Sequence, residues 1–81
     1  MDDQIRAVID GYGGLSVAAA DLADDADLYQ AGLTSHATVN VMLALEEEFH
    51  VEFPDSLLRR GTFHSIAAIR EAVSTLTDTL A

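Results

Sequence analysis

The sequence has no cysteine. That excludes disulfides, thiolate zinc sites and a cysteine nucleophile. It also has no lysine: four arginines are its only Lys or Arg residues, set against 14 acids, for a formal net charge of −10. A chain this acidic repels the phosphates of nucleic acids and anionic membrane surfaces. It is drawn instead towards basic protein surfaces, and the same charge keeps a small protein soluble. No apolar run approaches the roughly 20 residues needed to span a membrane. The opening "MDDQIRAVIDGYGG" lacks a positive segment followed by an apolar one, so it does not read as a signal peptide. The cytoplasm is the expected location.

What is present fits one domain over residues 1–81, although so short a chain buries only about 60–65% of the surface its unfolded form exposes. Apolar residues make up 49%, enough for a core and too many for wholesale disorder. Little is left for a deep, water-excluding catalytic pocket.

Helical periodicity dominates. Ile5, Val8, Ile9 and Tyr12 follow an i, i+3, i+4, i+7 stripe, with Asp2 and Asp3 placed to cap it and suit its positive end. Gly11, Gly13 and Gly14 stop it, which predicts a helix over 3–12. Residues 14–34 carry no long stripe and read as a long, partly ordered loop pinned by Leu15, Val17, Leu22, Leu28 and Leu33. Loops of that length are often functional. The second helix is expected from Ser35 to Phe49, with Thr34 or Ser35 as N-cap. Val39, Val41, Met42, Leu45 and Phe49 form a broad apolar arc, with Asn40, Ala44, Glu47 and Glu48 opposite. The arc is about 200° wide, more than the roughly 100° of an ordinary surface helix. Leu43, beside His36, Asn40 and Glu47 on the wheel, is therefore a candidate exposed contact, unless it packs under the loop.

Pro54 ends the next segment. "PDSLL" predicts one short helical turn at 55–59, and Arg59, Arg60 and Gly61 read as a break. Thr62 or Ser65 can cap a last helix whose stripe is Ile66, Ile69, Val73, Leu76 and Leu80, with Arg70 and the alanines elsewhere. No segment alternates as a strand. The expected fold is all-α: three main helices and one short one, with the long loop between the first two and amphipathic faces packed inward.

Catalytic groupings are missing. His36, His50 and His64 have no partner at a recognised ligand spacing. Ser35 and His36 are helix neighbours about 100° apart, a poor geometry for a serine–histidine pair, and a triad would need an orienting acid and an oxyanion hole as well. "DLADDADLYQAG" lacks the alternation, the sixth-position glycine and the twelfth-position glutamate of a calcium loop. No metal site is expected. Ser35 stands out for other reasons. Gly32 supplies a tight turn ahead of it, the helix end offers free N–H groups and positive potential suited to phosphate, and the helix beyond carries acids beside unburied apolar positions.

These residues carry a resemblance. "DLYQAGLTSHATVNVMLALEEEFHVEFPD", with "TFHSIAAIREAV" as last helix, resembles the acyl and peptidyl carrier proteins, small acidic helical bundles, over about residues 22–73. Thr34 stands where acyl carriers usually have Asp, and His36 where an apolar residue is common. "DLYQAGLTS" and "VNVMLALEEEF" are similar to a narrower group, the freestanding carriers charged with an amino acid by truncated homologues of class II aminoacyl-tRNA synthetases.

The resemblance implies a non-catalytic carrier. Ser35 would bear covalent 4′-phosphopantetheine taken from coenzyme A, and the cargo would ride on its terminal thiol as a thioester. The sulfur would then belong to the cofactor, which suits a protein without cysteine. The implied partners are a phosphopantetheinyl transferase, an ATP-dependent amino acid or acyl ligase and a downstream acceptor enzyme, met through Thr34, His36, Val39, Asn40, Leu43 and Glu47. A monomer is expected. Four alternatives stay open: an acyl carrier of the fatty-acid or polyketide type, a carrier whose serine is never modified, an acidic adaptor without a prosthetic group, and a small enzyme, against which the missing pocket and catalytic grouping speak. The chain carries no linker and is expected to be freestanding, although a trimmed domain of a larger synthase would look much the same.

Overall fold

The computed structural model describes residues 1–80, with the side chains of residues 1–78. Three α-helices organise it: α1 (Asp2–Tyr12), α2 (Ser35–Phe49) and α3 (Ile66–Leu80). Short 3₁₀ turns at Ala19–Asp21, Asp55–Leu57 and Arg60–Phe63 punctuate the connections, and there is no strand among the described residues. The fold is all-α, as expected.

The helices exist because each has one face to bury. Ile5 and Ile9 of α1, Val41 and Leu45 of α2, and Ile66, Ile69 and Val73 of α3 are fully enclosed and meet in one core. Phe53 and Phe63 join it from the second connection, with ring centroids 5.6 Å apart and rings tilted by 31°. Truncating one of these aliphatic side chains to Ala costs about 2–5 kcal/mol, a large share of the stability of a small domain.

Several expectations are corrected in detail. Asp2 and Asp3 lie in the first turn of α1 but make no cap; Met1 holds that position without a side-chain bond. Tyr12 is 55% exposed, because α1 runs on beyond the core its stripe points at. Gly14, at φ 66°, is what turns the chain away. Val17 is also exposed and pins nothing, whereas Leu28 and Leu33 are buried, and Leu15 and Leu22 pack at the core's edge. Ala44 is half-buried, not on the solvent side, and Ala72 is buried. The short helix expected over 55–59 is the 3₁₀ turn Asp55–Leu57, and the break at Arg59–Gly61 leads straight into another, Arg60–Phe63. Ser65 caps α3, its hydroxyl accepting from the Ala68 N–H at 3.1 Å. The expectation for Leu80 falls on a side chain outside the described residues.

The long first connection is more firmly held than its sequence suggests. The Leu28 N–H donates to the His64 carbonyl at 2.8 Å. The Ala67 N–H, one of the unpaired donors opening α3, donates to the Asp24 carbonyl at 2.9 Å. The Arg6 guanidinium donates to the carbonyls of Ala19 and Leu22 and pairs with Asp24 at 2.7 Å. Arg70 bridges Asp2 at 2.7 Å and Asp24 at 3.2 Å. A loop without a helical stripe is thus fixed by its buried Ala19, Leu28 and Leu33, by its backbone and by Arg6 and Arg70. It delivers the chain to the start of α2 in one orientation.

Candidate functional site

At the end of that loop Gly32 has φ 120°, a conformation that L side chains rarely adopt. Its N–H donates to the Tyr29 carbonyl at 3.2 Å, and the Leu33 N–H donates to the Leu28 carbonyl at 2.9 Å. Leu33 is driven into the core by this turn, and the next residues emerge at the surface. Thr34 is the N-cap of α2: its hydroxyl accepts from the Ala37 N–H at 3.0 Å. Its carbonyl accepts from the Thr38 N–H at 2.9 Å and from the Thr38 hydroxyl at 2.7 Å. The cap task falls to Thr34, so the Ser35 hydroxyl is free of it. Ser35 is exposed at the first position of the helix, where unpaired N–H groups and the positive end of the macrodipole favour an attached anion.

Beside it lies an open cleft of about 290 Å³. Ser35 and Thr38 line it from α2 together with Val39 and Met42. Tyr29, Leu58 and Phe63 supply further apolar wall, and Arg59 and Arg60 supply charge. The Arg60 guanidinium sits 3.9 Å over the centre of the Tyr29 ring, while the Tyr29 hydroxyl donates to the Arg60 carbonyl at 3.2 Å. These two contacts tie the end of the loop to the turn before α3. Neither Arg59 nor Arg60 pairs with a carboxylate among the described residues. The chemistry offered is a surface hydroxyl that can take a phosphate ester, next to two cations and an apolar trough.

The other residues singled out in the sequence are all at the surface. His36, Asn40, Leu43 and Glu47 follow one another at helical spacing along α2, and each is exposed. Leu43, 52% exposed, does not pack under the loop. Val39, also 52% exposed, stands at the cleft. His64 Nε2 lies 3.4 Å from Asp27 Oδ2, a contact within the loop's anchorage. No group of three or more metal-ligating side chains converges among the described residues, and no described helix is long and apolar enough to cross a membrane.

Sequence reasoning missed Tyr29, Leu58, Arg59, Arg60 and Phe63 as neighbours of Ser35. One signal was available: two of four arginines stand side by side in a chain with 14 acids.

Residues 13–73 match a family model described as a phosphopantetheine attachment site. The chain is 46% identical to an aminoacyl carrier protein of Agrobacterium fabrum, with 96% of this chain and 94% of that one covered. It superposes with a TM-score of 0.89, at 47% identity, on a chain in the crystal structure of an engineered Bradyrhizobium japonicum glycine:carrier protein ligase complexed with the carrier protein from Agrobacterium tumefaciens and AMP. That match covers 91% of this chain and 99% of the other. A further match has a TM-score of 0.75 at 31% identity and covers 88% and 95% of the two chains. It comes from the B. japonicum ligase complexed with glycylated carrier protein.

Proposed function

This chain belongs to the phosphopantetheine attachment site family, and from that membership we propose that it is an aminoacyl carrier whose attachment residue is Ser35. Once bound, 4′-phosphopantetheine supplies the terminal thiol on which an amino acid is held as a thioester.

The chain's own residues account for the rest. Gly32 and Thr34 set the turn and the cap that leave the Ser35 hydroxyl exposed and free to react. Ser35 Oγ would be the atom esterified: it would bond to the phosphorus that bears the pantetheine as the P–O bond to the nucleotide phosphate breaks, with the hydroxyl proton given up to a base. The Ala37 N–H is held by the Thr34 hydroxyl, so the N–H groups of Ser35 and His36 at the start of α2 would favour the charge of the resulting phosphodiester. The protein contributes position and electrostatics, while activation of the cargo belongs to an ATP-dependent ligase.

The observation that carries this reading is the exposed, uncommitted hydroxyl of Ser35 at the start of α2, inside the family-matched span. The amino acid as cargo is supported by the 46% identity to an aminoacyl carrier protein. The surface offered to the ligase is the exposed line of His36, Asn40, Leu43 and Glu47, flanked by Thr34 and Val39. It combines a small apolar contact with acidic steering towards a basic partner.

Incubation with coenzyme A and a broad-specificity phosphopantetheinyl transferase tests the attachment. Intact mass should rise by one phosphopantetheine on the wild type and not on Ser35→Ala. An equal gain on both would move the attachment elsewhere, and no gain on the folded wild type would leave an acidic adaptor as the better account.

A further inference from the structure

The arginines of this chain divide into two pairs with different fates. Arg6 and Arg70 are consumed by Asp2 and Asp24 and by loop carbonyls. Arg59 and Arg60 make no ion pair with any described carboxylate, although the chain carries 14 acids, and both line the cleft that Ser35 also lines. Two cations without an ion-pair partner, lining the cleft of one serine, create a local positive spot on a molecule of net charge −10, although Arg59 also borders a second cleft that Glu71 lines. Arg60 is further held in place by its stack on Tyr29, so its charge is positioned before any anion arrives.

We infer that Arg59 and Arg60 form an anion clamp for the phosphodiester on Ser35. The clamp lays the prosthetic arm along the apolar trough of Tyr29, Val39, Met42, Leu58 and Phe63 when no partner is engaged. This inference rests on the attachment proposed above. Charge complementarity selects the occupant: a phosphodiester keeps one negative charge at all physiological pH values, and guanidinium groups bind such oxygens with directed hydrogen bonds. Covalent attachment at Ser35 confines that charge to the neighbourhood of the clamp, so even weak contacts are populated. The trough, at about 290 Å³, lies at the small end of ligand pockets, about 300–1,000 Å³. A cover of this kind is partial and reversible, as a carrier that must release its arm into partners requires. A partner would compete with the clamp for the arm.

The test compares the isotope-labelled apo and holo proteins by amide correlation spectra, with intact mass recorded on each sample. The clamp predicts shifts on attachment at Tyr29, Val39, Met42, Leu58 and Phe63 as well as around Ser35. It also predicts slowed motion of the arm's own amides. Arg59→Gln, which leaves the Tyr29 stack in place, should lower the docked population about twofold to fivefold, the range for one exposed ion pair. Arg60→Gln should do the same or more.

Raising the salt to about 1 M, where the Debye length falls to about 3 Å, should return the wild-type trough signals towards the apo positions. This arm needs no variant and holds even if Arg60→Gln disturbs the fold. A correct holo mass with shifts confined to Ser35 and its sequence neighbours overturns the clamp and leaves the carrier reading intact. Trough shifts that survive both arginine substitutions and high salt also overturn it, since the arm would then be held by apolar contact alone. No mass gain overturns the attachment itself, and the clamp with it.

Discussion

Thr34 and His50 bracket α2, and each carries a measurable consequence. Thr34 satisfies one of the orphan N–H groups of the helix start through its side chain. Thr34→Ala should cost about 1 kcal/mol and lower Tm by roughly 4–8 °C in a domain this small. Because the Ser35 hydroxyl is not part of the cap, the variant should still accept the arm, more slowly as the first turn frays; thermal denaturation and attachment kinetics on one sample would separate the two effects. At the other end His50 ends the helix at φ 54°, ψ 47°, the left-handed region that costs a side chain about 1–2 kcal/mol. The Val51 N–H closes the turn on the Glu46 carbonyl at 3.1 Å, the pattern that usually places glycine at this position. The Glu46 carboxylate accepts from the Phe53 N–H at 2.8 Å and fixes the exit of the chain. His50 is exposed. His50→Gly should therefore stabilise the domain by about 0.5–1 kcal/mol, the relieved strain exceeding the entropy glycine adds to the unfolded chain. A lower denaturation midpoint for this variant would contradict the strain argument.

The elements were legible in the sequence to unequal degrees, and the differences have physical causes. The bounds of α2 could be read because a hydroxyl cap, a wide apolar arc and the family pattern all agree on Ser35–Phe49. The stripe of α3 names Ile66, Ile69 and Val73, all fully buried. A stripe gives the direction of burial but not how far the neighbouring elements reach, which is why Tyr12 belongs to the stripe of α1 and yet is exposed. Turns of three or four residues show no periodicity, so Arg60–Phe63 was hidden inside an apparent break. With it went the cleft, which draws on Tyr29, α2 and that turn, regions brought together only by the fold. The exposed face of α2 is legible, because an arc too wide to bury implies exposed apolar residues such as Leu43. Glu47, on that face, makes no hydrogen bond or ion pair with the described residues and adds to the run Glu46–Glu48 near the helix C-terminus. Glu47→Lys should leave the fold intact, since a cation there suits the macrodipole. It should slow loading by a ligase several-fold at low salt and flatten the salt dependence of that rate. Loading kinetics unchanged by the substitution would remove this face from the docking surface.

On the scale of the whole molecule, charge governs both stability and encounter. A net charge of −10 on 81 residues repels itself as well as nucleic acid. The Asp2–Arg70–Asp24–Arg6 chain offsets part of that by linking α1, the loop and α3. The hydrogen bond from Arg70 lowers the pKa of Asp24 below its ordinary value of 3.8; that from Arg6 and the charges of both arginines add to the effect, and desolvation works against it. A carboxylate whose folded pKa is depressed contributes stability that is fully present above its unfolded value and is lost as pH falls through the folded one. Acid should therefore loosen the loop's tie to α1 and α3 below about pH 4, and Asp24→Asn should remove that part of the acid sensitivity. An acid denaturation profile identical in wild type and Asp24→Asn would contradict this.

The central claim is that Ser35 carries an arm whose cargo is an amino acid. The most direct measurement is the intact mass of the phosphopantetheine-bearing protein after incubation with ATP, a glycine:carrier protein ligase and amino acids. Apo wild type and Ser35→Ala treated with the transferase serve as controls. The account predicts a gain of one amino acid on the holo protein alone, released by hydroxylamine as a thioester should be. A holo protein that takes up no amino acid from such a ligase yet is loaded with fatty acyl groups by an acyl ligase would contradict it.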